Sequence, residues 1–521
     1  MSFASSTSCP DYVSYSKEFH EPGSGGLFNL PFQRPLESCR KFTSAVIESV
    51  ISNITSKIDN LDLGRLFTNS FPNTLDTTIS QTACIVDNSH SCVPLAFIIT
   101  GDINAMWLRD SANQILPYLP YVHQDIKLKK LFLGAIYMQA HFITMDPYAN
   151  AFNGPSDMNA LSTSIFNNSA GDDFNRMEKR ASGLKEGVWE NKWEIDSLAS
   201  FMSLSYRYWN QTKDNSFVSD TVWVDAVEIL LDTLKKEQQP TFEPSSGKVM
   251  ETDYLFLKTS DRPTETQYNG GRGQPVRYTG MVKSLFRPSD DATVFPFFIP
   301  GNAMLSVELD HLSTLLLSSF SASASENRQG ERLQRLAAES AKMSTEIREA
   351  IYKYGMIDHP IYGKIFAYEV DGYGSFLIMD DANIPSLLSL SYLGFVDQRD
   401  PVYQNTRKLV LSKDNPYYFA GPRASGIGGP HVGLEYAWPM SQIVRMITSD
   451  DDQEIMESLN IILNSTDNTG LIHESIHVFE KAGGDDNVGY TRSWFAWANG
   501  LFGQAILKIM SEKPHLLTKS Q

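Results

Sequence analysis

The chain has 521 residues, of which 42% are hydrophobic and 20% are charged. This balance can fill a sizeable core and excludes a largely disordered or fibrous protein. The net charge of −17 argues against nucleic acid or anionic lipid as a partner, whereas a neutral substrate such as a sugar is compatible with it.

The first 35 residues are predicted to form a loosely structured N-terminal arm, because glycine and proline are frequent there and no apolar period is sustained. The extreme N-terminus has neither a basic start nor an apolar stretch, so we expect no signal peptide in this chain. No apolar run is long enough to cross a bilayer. The secretory pathway and the cytoplasm both stay open as locations.

The four cysteines, Cys9, Cys39, Cys84 and Cys92, all lie near the N-terminus and include no C-x-x-C pair, which argues against a zinc cage. Cys84 and Cys92 flank a turn-like segment. A disulfide between them and two free thiols are equally compatible with the sequence.

Helical periodicity recurs along the rest of the chain. The first predicted helix covers 37–60, where Phe42, Val46, Val50 and Ile54 repeat at helical spacing. Similar patterns predict helices over 105–119, 125–143, 192–210, 220–237, 301–318, 331–352, 383–393, 398–411, 434–448, 451–464 and 492–510. Short strands are predicted at 96–100, 252–257 and 364–370, and a polar surface loop or insertion at 319–330.

About twelve helices without a strong linker between them indicate one all-α domain over 36–521. Consecutive helices with short connections pack antiparallel, so six helical hairpins closed into an (α/α)6 barrel, with short β insertions, are the simplest arrangement. Two smaller bundles are the alternative. The sequence does not indicate the oligomeric state.

Acidic and aromatic residues gather at the starts of several predicted helices, in the segments 102–110, 189–196, 287–291 and 380–383. Each cluster alone is compatible with helix capping. In a ring of hairpins, however, alternate helix starts face the same end, so the clusters are expected to meet in one acidic, aromatic pocket. Such a pocket suits a sugar, because aromatic faces stack on its rings and carboxylates bind its hydroxyls.

Two further features need weighing. The segment His473-Glu474-Ser475-Ile476-His477 matches the H-E-x-x-H zinc motif, but glycines flank it closely and its alternation also fits a strand, so a zinc peptidase is a minor alternative.

The glycine-rich segment 421–431 lacks the lysine of a phosphate-binding loop and is interpreted as a loop at a pocket mouth. Glycoside hydrolysis needs two carboxyl groups, and Glu435 and Glu474 are C-terminal candidates.

Several segments, in this order, resemble glycoside hydrolase family 125 in its fungal form: Gly101–Ser111, Phe286–Ala292, Ile299–Asn302, Met379–Asn383, Gly421–Arg423, His473–Ser475 and Arg492–Trp497. The resemblance implies an exo-acting α-1,6-mannosidase on an (α/α)6 barrel, which inverts the anomeric configuration and needs no metal or other cofactor. Its partner would be a mannose-containing oligosaccharide of the mannan or N-glycan type.

The resemblance also assigns roles to residues. The general base falls on Glu474 and the general acid on Asp290, with Asp291 as the alternative. Mannose-binding residues are expected foremost at Trp107, Arg109 and Asp110, and further at Asp102, Asp380, Asp381, Arg423 and His473. A catalytically silent mannan-binding barrel is the other alternative, but a binding module would need no acid and base. In an inverting enzyme the two carboxyl groups lie roughly 6.5–9.5 Å apart, and the acid must hold a proton.

Overall fold

The computed structural model describes residues 9–86, 92–155, 184–258, 260–322, 328–481 and 489–518. Its α-helices are α1 Tyr12–Tyr15, α2 Ala45–Thr55, α3 Leu61–Ser70, α4 Asn73–Thr77, α5 Leu108–Ile115, α6 Ile126–Met145, α7 Ile195–Thr212, α8 Thr221–Glu237, α9 Tyr268–Gly271, α10 Ile299–Ala322, α11 Arg328–Ala350, α12 Pro401–Val410, α13 Pro439–Ile447, α14 Asp452–Asn464 and α15 Ala496–Glu512. The strands are β1 Ile79–Val86, β2 Cys92–Ile98, β3 Ala105–Trp107, β4 Ala151–Asn153, β5 Val188–Glu190, β6 Phe297–Phe298, β7 Met356–His359, β8 Gly363–Phe366, β9 Glu369–Val370, β10 Phe376–Leu377, β11 Tyr418–Ala420, β12 Ser425–Ile427, β13 Tyr436–Ala437, β14 Ser475–His477 and β15 Tyr490–Thr491.

The helices form an inner and an outer set. Helices α5, α7, α13 and α15 are buried over most of their surfaces, so each is enclosed by protein on nearly every side. Helix α11 instead buries residues at intervals of three and four, from Leu333 to Ile347, which is the pattern of a helix with one face in water. In the inner set, α10 packs on α7, α7 on α5, α5 on α15 and α15 on α13, while α6, α8, α11 and α14 lie outside it.

The strands pair into small antiparallel sheets, two of which stand at the starts of inner helices. In the sheet β3–β4–β5, Trp107 ends β3 immediately before α5, and β5 ends shortly before α7. In the sheet β13–β14–β15, the outer strands lead into α13 and α15. These sheets therefore fix the backbone just where the sequence concentrates its polar residues.

Most predicted helices lie within a few residues of the observed ones, as at Thr221–Glu237 and Asp452–Asn464. The predictions for 252–257 and 383–393 are wrong, because neither segment forms a regular element, and the single helix predicted over 37–60 begins only at Ala45. In 383–393 the backbone amides of Leu387 and Leu388 donate to the Asp380 carboxylate, at 2.8 and 2.9 Å. These side-chain acceptors compete with the helical hydrogen bonds. The two ends of the predicted loop at 319–330 are helical and belong to α10 and α11. Residues 323–327 lie outside the described residues.

The described part of the N-terminal arm, residues 9–35, contains the short helix α1 and is bonded to the rest of the chain. Disulfides join Cys9 to Cys39 and Cys84 to Cys92. The buried Arg34 donates from Nε to the Asp76 carboxylate at 2.7 Å and from Nη1 to Glu48 at 2.8 Å. Within the described ranges, no helix is both long enough and apolar enough to cross a bilayer.

A tight contact between α6 and β2 generates a prediction. A Cβ atom at Gly134 would lie 2.9 Å from the backbone nitrogen of Ala96 and from the carbonyl carbon of Leu95. Alanine is about 1 kcal/mol better than glycine inside a helix. Overpacking costs about 1–3 kcal/mol, and backbone cannot move aside as a side chain can, so the clash should outweigh the helix preference. We expect Gly134→Ala to lower the free energy of unfolding, measured by urea denaturation.

Gly64 in α3 supplies the matched control, because its Cβ would meet only the Thr55 methyl group, at 3.4 Å. Gly64→Ala should leave the free energy of unfolding unchanged or raise it by up to about 1 kcal/mol. Equal effects of the two substitutions would contradict the close approach of α6 to β2.

Candidate active site

One pocket collects side chains from segments that are far apart in the sequence. It encloses about 430 Å³ of empty space, including its mouth. Its lining consists of Thr100, Ile103, Trp107, Arg109, Asp110, Pro288, Ser289, Asp290, Asn383, His431, Trp438, Glu474, Arg492, Phe495 and Trp497. Polar segments at several helix starts therefore meet in one place, together with several aromatic rings.

Arg109, in the first turn of α5, is the cation around which one side of the pocket is built. Its Nη1 donates to Glu194 at 2.6 Å and to Asp196 at 2.9 Å, and its Nη2 lies 3.5 Å from Oδ1 of Asp290. Its Nε is 3.5 Å from the Asp110 carboxylate. A guanidinium presents several donors in a rigid plane, so this one side chain can hold four carboxylates in place.

Asn150, which precedes β4, is a second bridge among these acids. Its Nδ2 lies 3.0 Å from Glu190, 3.3 Å from Glu194 and 3.4 Å from Asp290, while its Oδ1 accepts the backbone N–H of Lys192. The Lys192 ammonium lies 3.1 Å from Glu190. The carboxylates of Asp110, Glu190, Glu194, Asp196 and Asp290 thus surround Arg109 and Lys192.

The proton affinities of these acids differ. Burial raises the pKa of Asp110 to about 6 and raises the pKa of Glu194 well above its ordinary range. Burial acts in the same direction on Asp290, but Lys192 and Arg109 outweigh it and lower the pKa of that carboxyl. The surroundings therefore favour the neutral form of Glu194 and the ionised form of Asp290.

Asp290 and Asp291 are adjacent but face different surroundings. Asp290 has a left-handed backbone, with φ of 65°, a conformation that Asp and Asn tolerate better than most residues. Its N–H donates to the carbonyl of Arg287 at 2.9 Å, which closes a tight turn. The Asp290 side chain lines the pocket, whereas Asp291 is 1% exposed and lies 3.6 Å from Nδ1 of His431.

His431 adds a positive charge to the pocket. Burial opposes protonation of its imidazole, but the Asp291 carboxylate outweighs burial and raises the pKa of His431 to about 9. At neutral pH the ring is therefore a cation. The glycine-rich segment predicted to lie at a pocket mouth contributes this residue.

Glu474 enters the pocket from the loop that leads into β14. Its Oε1 accepts from Nε of Arg492 and its Oε2 from the hydroxyl of Thr491, both at 2.9 Å. The pairing of β14 with β15, in which Ser475 faces Thr491, sets this geometry. Two donors thus fix the carboxylate, and Arg492 places a positive charge beside it.

The two histidines of the H-E-x-x-H match lie in and before a strand, not on a helix. His473 is fully buried, with Nδ1 2.9 Å from the Arg492 carbonyl and Nε2 3.1 Å from the Thr466 carbonyl, and its ring stacks on Tyr490. Nε2 of His477 lies 3.5 Å from Glu435. In the part of the chain that the structure describes, no group of three or more His, Cys, Asp or Glu side chains is arranged to hold a metal ion.

The structure places the predicted mannose-binding residues in two groups. Trp107, Arg109 and Asp110 line the pocket, whereas Asp102, Asp380, Asp381, Arg423 and His473 do not.

The residues outside the lining have other contacts. Asp102 pairs with Arg492, and Asp381 accepts from the backbone N–H of Asn383 at 3.0 Å. Arg423 donates to the His477 carbonyl at 2.9 Å. These contacts hold loops of the site in place, and a direct role of these residues in sugar binding stays a prediction.

Sequence reasoning missed several residues of the site. Asn383, His431, Trp438, Arg492, Phe495 and Trp497 line the pocket without having been singled out as binding residues. All but Trp438 lie in segments that were already conspicuous for their polar, glycine or aromatic content. Glu194 lies in the predicted polar cluster 189–196, so a signal existed, but nothing in the sequence points its side chain toward Asp290.

The turn that carries Asp290 is anchored by a buried ion pair, from which a prediction follows. Nε of Arg287 donates to Glu369 at 2.6 Å, and both side chains are almost fully buried. Glu369 also accepts the backbone N–H groups of Val294 and Phe295. Glu369→Gln should lower the free energy of unfolding by about 3–5 kcal/mol, because it leaves the buried Arg287 charge without its partner. Chemical denaturation measures this loss.

The control is Glu512→Gln in α15, which removes the exposed pair with Lys508. Exposed pairs contribute about 0–1 kcal/mol, so this change should be small. A loss at Glu369 no larger than that at Glu512 would show that the buried pair does not hold the turn.

Comparisons with known proteins identify the family of this chain. Residues 60–507 match the family model described as metal-independent alpha-mannosidase (GH125). The chain is 46% identical over 515 residues to the meiotically up-regulated gene 157 protein of Schizosaccharomyces pombe, covering 98% of this chain and 94% of that protein. It also resembles a solved Streptococcus pneumoniae protein from a family of metal-independent alpha mannosidases, held in a non-productive complex with alpha-1,6-mannobiose. That match has a TM-score of 0.73 and 31% identity, and it covers 91% of this chain and all of the other.

Proposed function

Because this chain belongs to glycoside hydrolase family 125, the metal-independent α-mannosidases, we propose that it is an exo-acting, inverting α-1,6-mannosidase. Its substrates would be mannan or N-glycan-type oligosaccharides, from which it would remove the non-reducing terminal mannose. The family match confirms the resemblance seen in the sequence and makes the chain a glycoside hydrolase. The observation that carries the finer proposal is that two of the three carboxylates lining the pocket, Asp290 and Glu474, are held by separate networks.

The architecture that fits this function is an (α/α)6 barrel. We propose that α5, α7, α10, α13 and α15 form the inner ring, with the irregular segment 383–393 in the sixth position. The burial of these helices and the one-sided burial of α11 support such an arrangement. The pocket would then lie at the end of the barrel where the inner helices begin.

Sugar recognition would divide between rings and charged groups. Trp107, Trp438 and Trp497 offer aromatic faces for the C–H surface of mannose, and Asp110 and His431 offer groups for its hydroxyls. The likeness to the Streptococcus pneumoniae protein, whose complex holds alpha-1,6-mannobiose, supports the α-1,6 linkage.

In the proposed reaction, Asp290 donates a proton to the glycosidic oxygen as its bond to the anomeric carbon breaks. Glu474 takes a proton from the water that attacks that carbon from the other face, so the configuration inverts. Arg492 and Thr491 would keep the Glu474 carboxylate directed at that water. The chemistry needs no metal ion, because the two carboxyl groups supply both proton transfers.

Linkage and stereochemistry can be tested together. We expect the purified protein to hydrolyse α-1,6-mannobiose and to leave the α-1,2 and α-1,3 isomers essentially intact. Proton NMR should show β-mannose as the first product, and a chelator should not change the rate. Release of α-mannose first would contradict inversion, and binding of mannobiose without hydrolysis would favour the silent mannan-binding barrel.

The two carboxylates can be tested by isosteric substitution. Glu474→Gln should lower kcat by about 100- to 10,000-fold with little change in substrate affinity, because it removes the base and keeps the side-chain size. Asp290→Asn should cause a comparable loss on α-1,6-mannobiose but a smaller one on an aryl mannoside, whose leaving group needs little protonation. Asn also tolerates the left-handed backbone at this position.

Asp291→Asn is the control for the choice of acid. If this variant alone shows the dependence on the leaving group, the acid is Asp291. If all three variants retain wild-type rates, the assignment of both catalytic residues fails.

A further inference from the structure

The general acid of the proposed reaction has an unusual neighbourhood. Asp290 lies within 3.5 Å of the Arg109 guanidinium, and Lys192 is also close enough to favour its ionised form. A carboxyl beside two cations is mostly ionised at neutral pH and so holds no proton to donate when it stands alone. The proton that Asp290 delivers must therefore be retained by something besides Asp290.

Glu194 is the neighbour that can retain it. Its side chain is fully buried at the start of α7, and the amide of Asn150 lies between it and Asp290, 3.3 Å from Glu194 and 3.4 Å from Asp290. The guanidinium of Arg109 also contacts both carboxyl groups, Glu194 at 2.6 Å and Asp290 at 3.5 Å. Asp290 lines the pocket and Glu194 does not, so Asp290 alone can reach a substrate.

The balance of charge in this cluster favours a bound proton. Five carboxylates, those of Asp110, Glu190, Glu194, Asp196 and Asp290, surround the two cations Arg109 and Lys192. With every acid ionised, these acids would carry three more charges than Arg109 and Lys192 offset, and Asp110, Glu194 and Asp196 are almost fully buried. Burial of charge in excess is costly, which favours retention of a proton by one of these acids.

We propose that Glu194 is a positioning residue that shares a single proton with Asp290 and so keeps the pair able to protonate the leaving oxygen. This inference rests on the proposed function, in which Asp290 is the general acid.

The proton balance of the cycle follows. The pair enters with one proton, which passes through Asp290 to the glycosidic oxygen while the electrons of the breaking bond move to that oxygen. The attacking water loses its proton to Glu474. After the products leave, Glu474 loses that proton and the pair regains one from solvent through the pocket.

Two carboxyl groups that share a proton titrate as a unit, and the loss of their last proton is shifted to higher pH by the repulsion between two anions. Without the Glu194 carboxyl, Asp290 would titrate alone beside Arg109 and Lys192 and would lose its proton at lower pH. The other charged groups that face the pair belong to α5, β5, α7 and the pocket loops: Asp110, Glu190, Asp196 and His431, with Glu474 and Arg492 across the lining.

The test is the pH dependence of kcat/KM on α-1,6-mannobiose for Glu194→Gln. The basic limb, where the acid loses its proton, should move to lower pH by at least about one unit, because the partner carboxylate no longer raises the pKa of the pair. At neutral pH the rate should fall at least about tenfold on mannobiose, and less on an aryl mannoside.

Asp196→Asn is the matched control. Asp196 is as buried as Glu194 and accepts from the same Arg109 nitrogen, but Asn150 does not bridge it to Asp290. It should lower the melting temperature about as much as Glu194→Gln, yet move the basic limb clearly less, because it removes a nearby charge but not the carboxyl that shares the proton. If Glu194→Gln does not fold, Glu194→Asp, which withdraws the carboxyl by one methylene, should shift the limb in the same direction by less.

An unmoved basic limb in folded Glu194→Gln, or in Glu194→Asp if the first variant does not fold, would overturn the proposal. An equal shift in Asp196→Asn would overturn it as well, since the effect would then belong to the whole cluster. Failure of the proposed function is distinguishable, because it would appear as wild-type activity of Asp290→Asn.

Discussion

The site depends on the buried guanidinium of Arg109. Its donors hold Glu194 and Asp196 at 2.6 and 2.9 Å, and it lies within 3.5 Å of Asp110 and Asp290. Without it, the starts of α5 and α7 and the turn at Asp290 would bring acids of like charge together without the cation that they share. The cation thus permits a concentration of carboxylates that burial would otherwise exclude.

Two small sheets, formed by separate parts of the chain, hold the residues of the pocket in place. The sheet β3–β4–β5 fixes Trp107 and the neighbours of Asn150, while the sheet β13–β14–β15 fixes Glu474 and its partners Thr491 and Arg492. Each sheet is too small to be stable alone and relies on the inner helices that follow it. This explains why polar residues of the sequence gather at helix starts: the helices provide rigidity, and the short strands before them aim the side chains.

The sequence predicts the helices better than the site, for a physical reason. Helix positions follow from apolar spacing, which is local, and the helices at 220–237 and 451–464 were placed almost to the residue. Whether a polar residue enters the pocket depends on contacts that are not local. Asp380 and Arg423 carry the same polar signal as Asp110, yet Asp380 binds backbone amides of its own loop, and Arg423 binds backbone carbonyls. The hydrogen bond that the Leu387 N–H donates to Asp380 also takes the place of a helical hydrogen bond in 383–393, where periodicity predicted a helix.

The backbone angle φ at Asp290 gives the side chains of Asp290 and Asp291 different directions. The positive φ at Asp290 turns its side chain into the pocket, while the next side chain turns toward His431. The same turn brings Asp290 beside Glu194, whereas Glu474 stands among the donors of Arg492 and Thr491. Both candidate catalytic carboxyls therefore have a cation nearby, Arg109 at Asp290 and Arg492 at Glu474, but only Asp290 also has the buried acid Glu194 as a neighbour. An acid must keep a proton and a base must lose one, so in the proposed reaction this acidic neighbour is the difference that separates the two roles.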